Sequence, residues 1–187
     1  SLVFWIAETI YNILYMANYV DDDASGARRD DLVWFAPFQE HILSPLARLL
    51  SLYDDLGIPY EHRKQLWGPC LPYIGFSVDI DCFSFTLPED CRANLIATIQ
   101  KFITCTPGHR RRSIHEFQAL AGHINWALNV FPLLRPCLAH IYHKLSNKSD
   151  PHTKAYINSG ITRDLEWFLR RIDTLPGVRI FAAAAWT

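Results

Sequence analysis

Two adjacent aspartates, Asp21 and Asp22, follow Tyr19 and Val20 at the end of an apolar run of strand length, Ile13 to Val20. Carboxylates so close repel one another unless a cation or solvent neutralises them. A pair of hard divalent ions about 3.5–4 Å apart, held by such oxygens, drives in-line displacement at phosphorus. A solvated acidic turn accounts for the same four residues, because Asp favours turns. As a bare pattern, Tyr-Val-Asp-Asp is weak.

Other residues bear on the choice. Residues 1–90 hold 5 Lys+Arg against 14 Asp+Glu, whereas residues 91–187 hold 13 against 5, although the whole chain of 187 residues has a net charge of −1. An acidic half that could bind cations is thus joined to a basic half that could bind phosphates. Two solvated faces that merely differ in sign fit the split as well. Arg110, Arg111 and Arg112, preceded by His109, are the densest basic run and could touch nucleic-acid backbone; a solvated loop between helices is the competing account. Arg92, Lys101, Lys144, Lys148, Arg170 and Arg171 extend the basic character.

Several chemistries find no support. Five cysteines without a CxxC pair argue against a structural zinc site, and their odd number suits reduced thiols inside a cell, in cytoplasm or nucleus, better than a disulfide framework. His140 and His143 share a helical face without an evident third ligand. No nucleophile elbow and no Gly-rich phosphate loop occurs. The longest apolar runs fall short of 18 residues, so no membrane span is expected. The start lacks the basic region of a signal peptide. The apolar start without Met, and the end at Phe181-Ala-Ala-Ala-Ala-Trp186-Thr187, predict a piece of a longer polypeptide.

The elements that would position these residues follow from periodicity. Residues 1–12 read as the end of a buried helix. Ile13 to Val20 and Asp31 to Phe35 read as a hairpin, with Asp21, Asp22 and Asp23 at its tip. Apolar residues from Phe38 to Leu56 form a helical stripe that Gly57-Ile-Pro59 ends. Tyr73–Asp79 and Cys82–Leu87 read as two strands around an Asp79-Ile-Asp81 turn. Pro88 suits the first position of a helix with Cys91, Leu95, Ile99 and Phe102 on one side. Ser113-Ile-His-Glu116 is a capping box ahead of a helix that buries Phe117, Leu120, Ala121, Ile124 and Leu128. A helix from Pro132 to about Leu145, another from about Ile161 to Ile172, and a strand at Val178 to Phe181 complete the reading. Trp126 and Trp167 fall among the core positions of their helices. The order gives an α+β unit followed by a helical one, with the boundary near Leu87.

Three motifs in this order resemble the reverse transcriptases of retrotransposons. Tyr19-Val-Asp-Asp22 is similar to their catalytic hairpin. Tyr73-Ile-Gly-Phe76 resembles the primer-grip hairpin, and Phe117-Gln-Ala-Leu-Ala-Gly-His-Ile-Asn-Trp126 resembles the thumb helix. Lys64 is similar to a lysine common before the grip. The phrases LAGHINWALNVFPLLRP and LYDDLGIPYEHRKQLWG most resemble DIRS-like elements, whose polymerase adjoins a ribonuclease H domain.

The resemblance implies a layout and a set of roles. Residues 1–87 would be the C-terminal part of a polymerase palm, 88–147 a helical thumb, and 148–187 a connection toward a ribonuclease H domain. The fold class is α+β. Asp21 and Asp22 would be catalytic and would bind two Mg²⁺ (or Mn²⁺) ions. Tyr19 and Val20 would floor the nucleotide site, while Tyr73, Gly75 and Phe76 would hold the primer. For the side chains of Ile74 and Phe76, ordinary core packing fits as well. The partners implied are an RNA or DNA template with a DNA primer, deoxynucleoside triphosphates, and upstream fingers and palm segments. The family also uses an Asp on an earlier strand, which the 18 residues before Tyr19 do not supply, so this chain alone is not expected to polymerise. Asp23 departs from the pattern, since a small or apolar residue usually follows the pair. It is either a turn residue or a mark of a decayed copy. Two rival readings remain: a non-catalytic nucleic-acid-binding remnant, and a helical interaction module without a nucleic-acid role.

Overall fold

A computed structural model describes residues 2–19, 22–104, 110–146, 148 and 150–179. Val20 and Asp21 therefore lie outside the described residues, as do His109 and Phe181. The chain is α+β and divides into two compact units, Ser1–Ile74 and Gly75–Thr187. The expected boundary at Leu87 lies inside the second of them. Among the described residues no helix is long and apolar enough to cross a membrane.

The first unit begins with α1 (Leu2–Thr9), followed by β1 (Met16–Tyr19) and β2 (Asp22–Ser25). These strands pair antiparallel, with Tyr19 opposite Asp22 and Asn18 opposite Asp23. The partner of the Tyr-containing strand is thus the acidic segment itself, and not Asp31–Phe35 as its β-branched and aromatic content suggests. That segment forms β3 (Leu32–Phe35), which pairs with β4 (Glu40–Leu43). The helical stripe from Phe38 is likewise shortened. Gln39 takes a left-handed φ of 54° in the β3–β4 turn, and α2 runs only from Ser44 to Leu56 with Pro45 in its first turn.

Gly57 ends α2 in the left-handed region (φ 68°), as glycine does readily, and lets Ile58 N donate to Tyr53 O at 2.8 Å. Two small cores hold the unit. Ala7 and Ile13 pack with Leu49 and Leu52, while Phe35 and Ile42 pack with Ala47 and Leu50; Tyr53 touches both groups. Of α1 only Ala7 is buried, so the opening segment is not the buried helix its apolar composition suggests. A 3-10 turn (His62–Lys64) and β5 (Cys70–Tyr73) close the unit.

In the second unit, β6 (Phe76–Asp79), β7 (Ser84–Thr86) and β10 (Val178–Arg179) lie side by side in one antiparallel sheet. The expected single strand from Tyr73 to Asp79 is interrupted, because Ile74 and Gly75 both take positive φ, 51° and 75°. Helices α3 (Glu89–Ile103), α4 (Ile114–Ala127), α5 (Ala139–Leu145) and α6 (Ser159–Ile172) build the main core. α3 buries Leu95, Ile99 and Phe102 but leaves Cys91 exposed. α6 buries Ile161, Leu165, Phe168 and Ile172, the four-three-four spacing of one helical face. Each such side chain contributes about 1.5–3 kcal/mol by leaving water.

The α4 capping box forms as its sequence requires. Glu116 N donates to Ser113 Oγ at 3.2 Å, and Ser113 N donates to the Glu116 carboxylate at 2.8 Å. The segment from Pro132 opens as a 3-10 stretch to Leu138 before α5 begins, because Pro136 inside it has no N–H to donate. A short strand pair joins distant parts of the unit: β8 (Arg111–Ser113) runs antiparallel to β9 (Lys154–Tyr156).

Candidate functional site

The strand pair β1–β2 sorts its side chains by the two-residue period of a strand. Directly opposed residues share a face. Tyr19 and Asp22 therefore lie on one face with Ala17 and Ala24, and Asn18 and Asp23 on the other with Met16 and Ser25. Met16 packs onto the core formed with Leu49 and Leu52, so the second face leans on α2. The first face carries small residues around an exposed Asp22 and a Tyr19 that is 54% exposed.

The two described aspartates are thereby given different employment. Asp23 accepts a hydrogen bond from Asn18 Nδ2 at 2.7 Å and a second, on its other oxygen, from the Tyr53 hydroxyl of α2. Burial together with that carboxylate holds the Tyr53 hydroxyl well above the usual phenol range. Asp23, which the sequence left between a turn residue and a decayed position, is a strand residue tied to the neighbouring helix. Asp22 faces outward beside Tyr19. Tyr73, at the end of β5, has its hydroxyl raised above the ordinary range, first by burial and then by the negative charge of Asp22 and Asp23. The first residue of the expected primer grip therefore sits within electrostatic reach of the acidic strand.

Carboxylate oxygens of the Asp22 kind suit Mg²⁺ and Mn²⁺. Among the described residues no three His, Cys, Asp or Glu converge on one point, so a full ligand set would have to draw on groups beyond them. Asp21 and Val20 lie outside the described residues. Lys64 is exposed and pairs with Glu61 at 3.2 Å.

Within the second unit, Gly75 and Phe76 pack against α4. A Cβ at Gly75 would meet Trp126 Cζ2 at 3.4 Å, and the Phe76 ring stacks on Trp126 with centroids 4.7 Å apart. The side chain of Phe76 is thus engaged in packing. Trp126 is not a core residue: it is 44% exposed and covers Phe76 from outside. Trp167 is partly buried at the edge of the core.

The arginine run does not behave as one patch. Arg110 and Arg111 are exposed. Arg112 turns inward, its side chain 25% exposed. Its guanidinium lies 5.9 Å from the Phe102 ring centroid, donates to Lys101 O at 3.4 Å and stands 3.8 Å from Glu116. His140 pairs with Asp164 at 2.6 Å and thereby fastens α5 to α6. Sequence reasoning missed Asn18 and Tyr53 as partners of Asp23, and Lys154 and Tyr156 as neighbours of Arg111. Tyr53 was visible only as one position of an apolar stripe.

No family model matches the chain, and no curated protein matches it. Among solved structures, the chain is similar to a foamy viral protease-reverse transcriptase determined in complex with an RNA/DNA hybrid, with a TM-score of 0.59 at 18% sequence identity. The match covers 92% of this chain but only 20% of that one, so the chain spans about a fifth of the length of its structural neighbour. Over nearly all its residues, the chain has a reverse-transcriptase-like fold.

Proposed function

We propose that the chain is part of a retroelement reverse transcriptase of the DIRS-like kind, comprising the end of the palm, the thumb and the start of a connection. The observation that carries the reading is the fold-level likeness to a reverse transcriptase across a chain that holds the three motifs in order. In the intact parent, Asp21 and Asp22 would hold two Mg²⁺ (or Mn²⁺) ions, whose charge offsets what accumulates on the transferred phosphoryl group. The primer 3′ oxygen forms a bond to the α-phosphorus of a deoxynucleoside triphosphate, and pyrophosphate leaves. Tyr19 and Val20 would line the floor beneath the primer end, and Tyr73, Gly75 and Phe76 would hold its backbone. The exposed Asp22 face with its alanine neighbours, and the proximity of Tyr73 to that acidic strand, support these roles.

The test uses the 187-residue chain and an RNA/DNA hybrid with a fluorescent base at the primer 3′ end. Binding is expected to weaken as salt rises. Mg²⁺ is expected to change the fluorescence with the wild-type chain but not with Asp21→Asn or Asp22→Asn. Salt-dependent binding that ignores Mg²⁺ in all three chains would instead assign the non-catalytic remnant. Absence of hybrid binding at any salt would leave only a helical interaction module.

A further inference from the structure

We propose that the outward face of the β8–β9 strand pair, formed by Arg111, Lys154 and Tyr156, is a contact surface for the phosphate backbone of nucleic acid, and that Arg112 has no part in it. The inference rests on the nucleic-acid reading above and assigns it a surface that the arginine run alone does not define.

The register decides which side chains belong together. Arg111 stands opposite Tyr156, Arg112 opposite Ala155, and Ser113 opposite Lys154. Opposed residues share a face and successive ones alternate, so Arg112 and Ala155 occupy one side while Arg111, Tyr156, Ser113 and Lys154 occupy the other. Burial agrees with the geometry. Ala155 is 4% exposed and Arg112 is folded over Phe102, whereas Tyr156 is 50% exposed and Arg111 and Lys154 are exposed. Two cations 43 positions apart in the chain are thus brought diagonally across one ladder, roughly 7–8 Å apart at their backbones. An aromatic ring lies directly opposite one of them.

The scaffold under this face is tied at both ends. Ile157 N donates to Arg110 O at 2.8 Å, Ile114 N to Thr153 O at 2.9 Å and His115 N to Pro151 O at 3.0 Å. Charges mounted on such a ladder lose less freedom on binding than charges on a loose segment. The neighbouring carboxylates are already occupied. Glu116 serves the α4 cap and Arg112, and feels Lys154 at longer range. Asp150 accepts from Thr153 and from the His152 backbone. Arg110 and Lys148, both exposed, add positive charge nearby in sequence. Positive charge flanking an open aromatic ring matches a nucleotide chain, whose phosphates are anionic and whose sugars and bases offer flat surface.

The experiment measures the affinity of the 187-residue chain for a labelled RNA/DNA hybrid against salt, with circular dichroism verifying the fold of each variant. Arg111→Ala and Lys154→Ala should each flatten the plot of log affinity against log salt by about 0.7–0.9, one phosphate contact apiece. Tyr156→Ala should weaken binding while leaving the slope in place. Arg112→Ala should lower thermal stability and keep the wild-type slope. An Arg111→Ala/Lys154→Ala chain that binds with wild-type affinity and slope overturns the proposal while leaving the reverse-transcriptase reading intact. If that double variant keeps the hybrid but loses binding to polyglutamate, the face serves an acidic protein and the proposal also falls. A wild-type chain that binds no hybrid overturns both readings.

Discussion

Replacing Tyr53 by Phe isolates the tie between α2 and the acidic strand pair. The ring remains, so its packing against both small cores of the first unit is preserved and no cavity opens. What disappears is one hydrogen bond from a half-buried hydroxyl to the Asp23 carboxylate. Bonds to charged groups contribute about 1.5–3 kcal/mol. Asp23 keeps its bond from Asn18 Nδ2 and partial access to water, so the loss straddles the lower limit of that range, about 1–2 kcal/mol. Because the chain has two units, a single melting temperature would mix their responses. Amide hydrogen exchange separates them: exchange in Met16–Tyr19 and Asp22–Ser25 should accelerate about 5- to 30-fold in Tyr53→Phe, while α4 stays unchanged.

The pH dependence carries its own sign. The folded state holds the Tyr53 proton more tightly than the unfolded state, whose ordinary value is 10.0. The stabilisation is therefore complete below about pH 10 and is lost as pH climbs from there toward the higher folded value. The advantage of wild type over Tyr53→Phe should shrink above pH 10. Equal exchange in the two proteins, or acceleration spread evenly over both units, would refute the assignment of Asp23 as an anchored residue.

Two further outcomes are expected. Ser113→Ala removes the α4 cap and should cost about 1 kcal/mol, read as faster amide exchange in α4, with Ser113→Thr or Ser113→Asp restoring most of it. Cys137 is fully buried and its thiol is pushed up to about 12, chiefly by burial and then by the charge of Asp164. It should resist iodoacetamide at pH 8 in the native protein while the exposed Cys82 and Cys91 react, as peptide mass mapping would show. Its raised value also means that its contribution to stability is complete below about pH 9, the ordinary thiol value of 9.0, and is lost as pH rises toward 12.

The helical unit was the more legible part of the sequence, for a physical reason. α4 and α6 bury one continuous stripe each, and α4 carries its own reciprocal cap, so period and terminus agree. The strands were harder. β2 is Asp-Asp-Ala-Ser, a segment with no β-forming residue, and it is held by its partner and by Tyr53 rather than by propensity. The aromatic Leu32–Phe35 segment looked like the better partner for β1 and instead found β4. The positive φ of Gln39 and of Ile74 has no sequence signal of the glycine kind, so the shortened α2 and the interrupted grip strand could not be read in advance. At the candidate site, the residue types were visible but their faces were not. Arg112 differs from Arg111 only by its place in a two-residue period, and that period becomes readable once the Lys154–Tyr156 partner is known.

Register also bears on how mutable the acidic hairpin is. A slip of β2 by one position against β1 would exchange the two described aspartates, turning Asp23 outward and carrying Asp22 into the neighbourhood of Tyr53. An acidic doublet is thus nearly degenerate under a one-residue slip: either arrangement leaves one carboxylate exposed and one tethered. A hairpin with an apolar residue in place of Asp23 has no such redundancy, since the same slip would bring a greasy side chain to the open face.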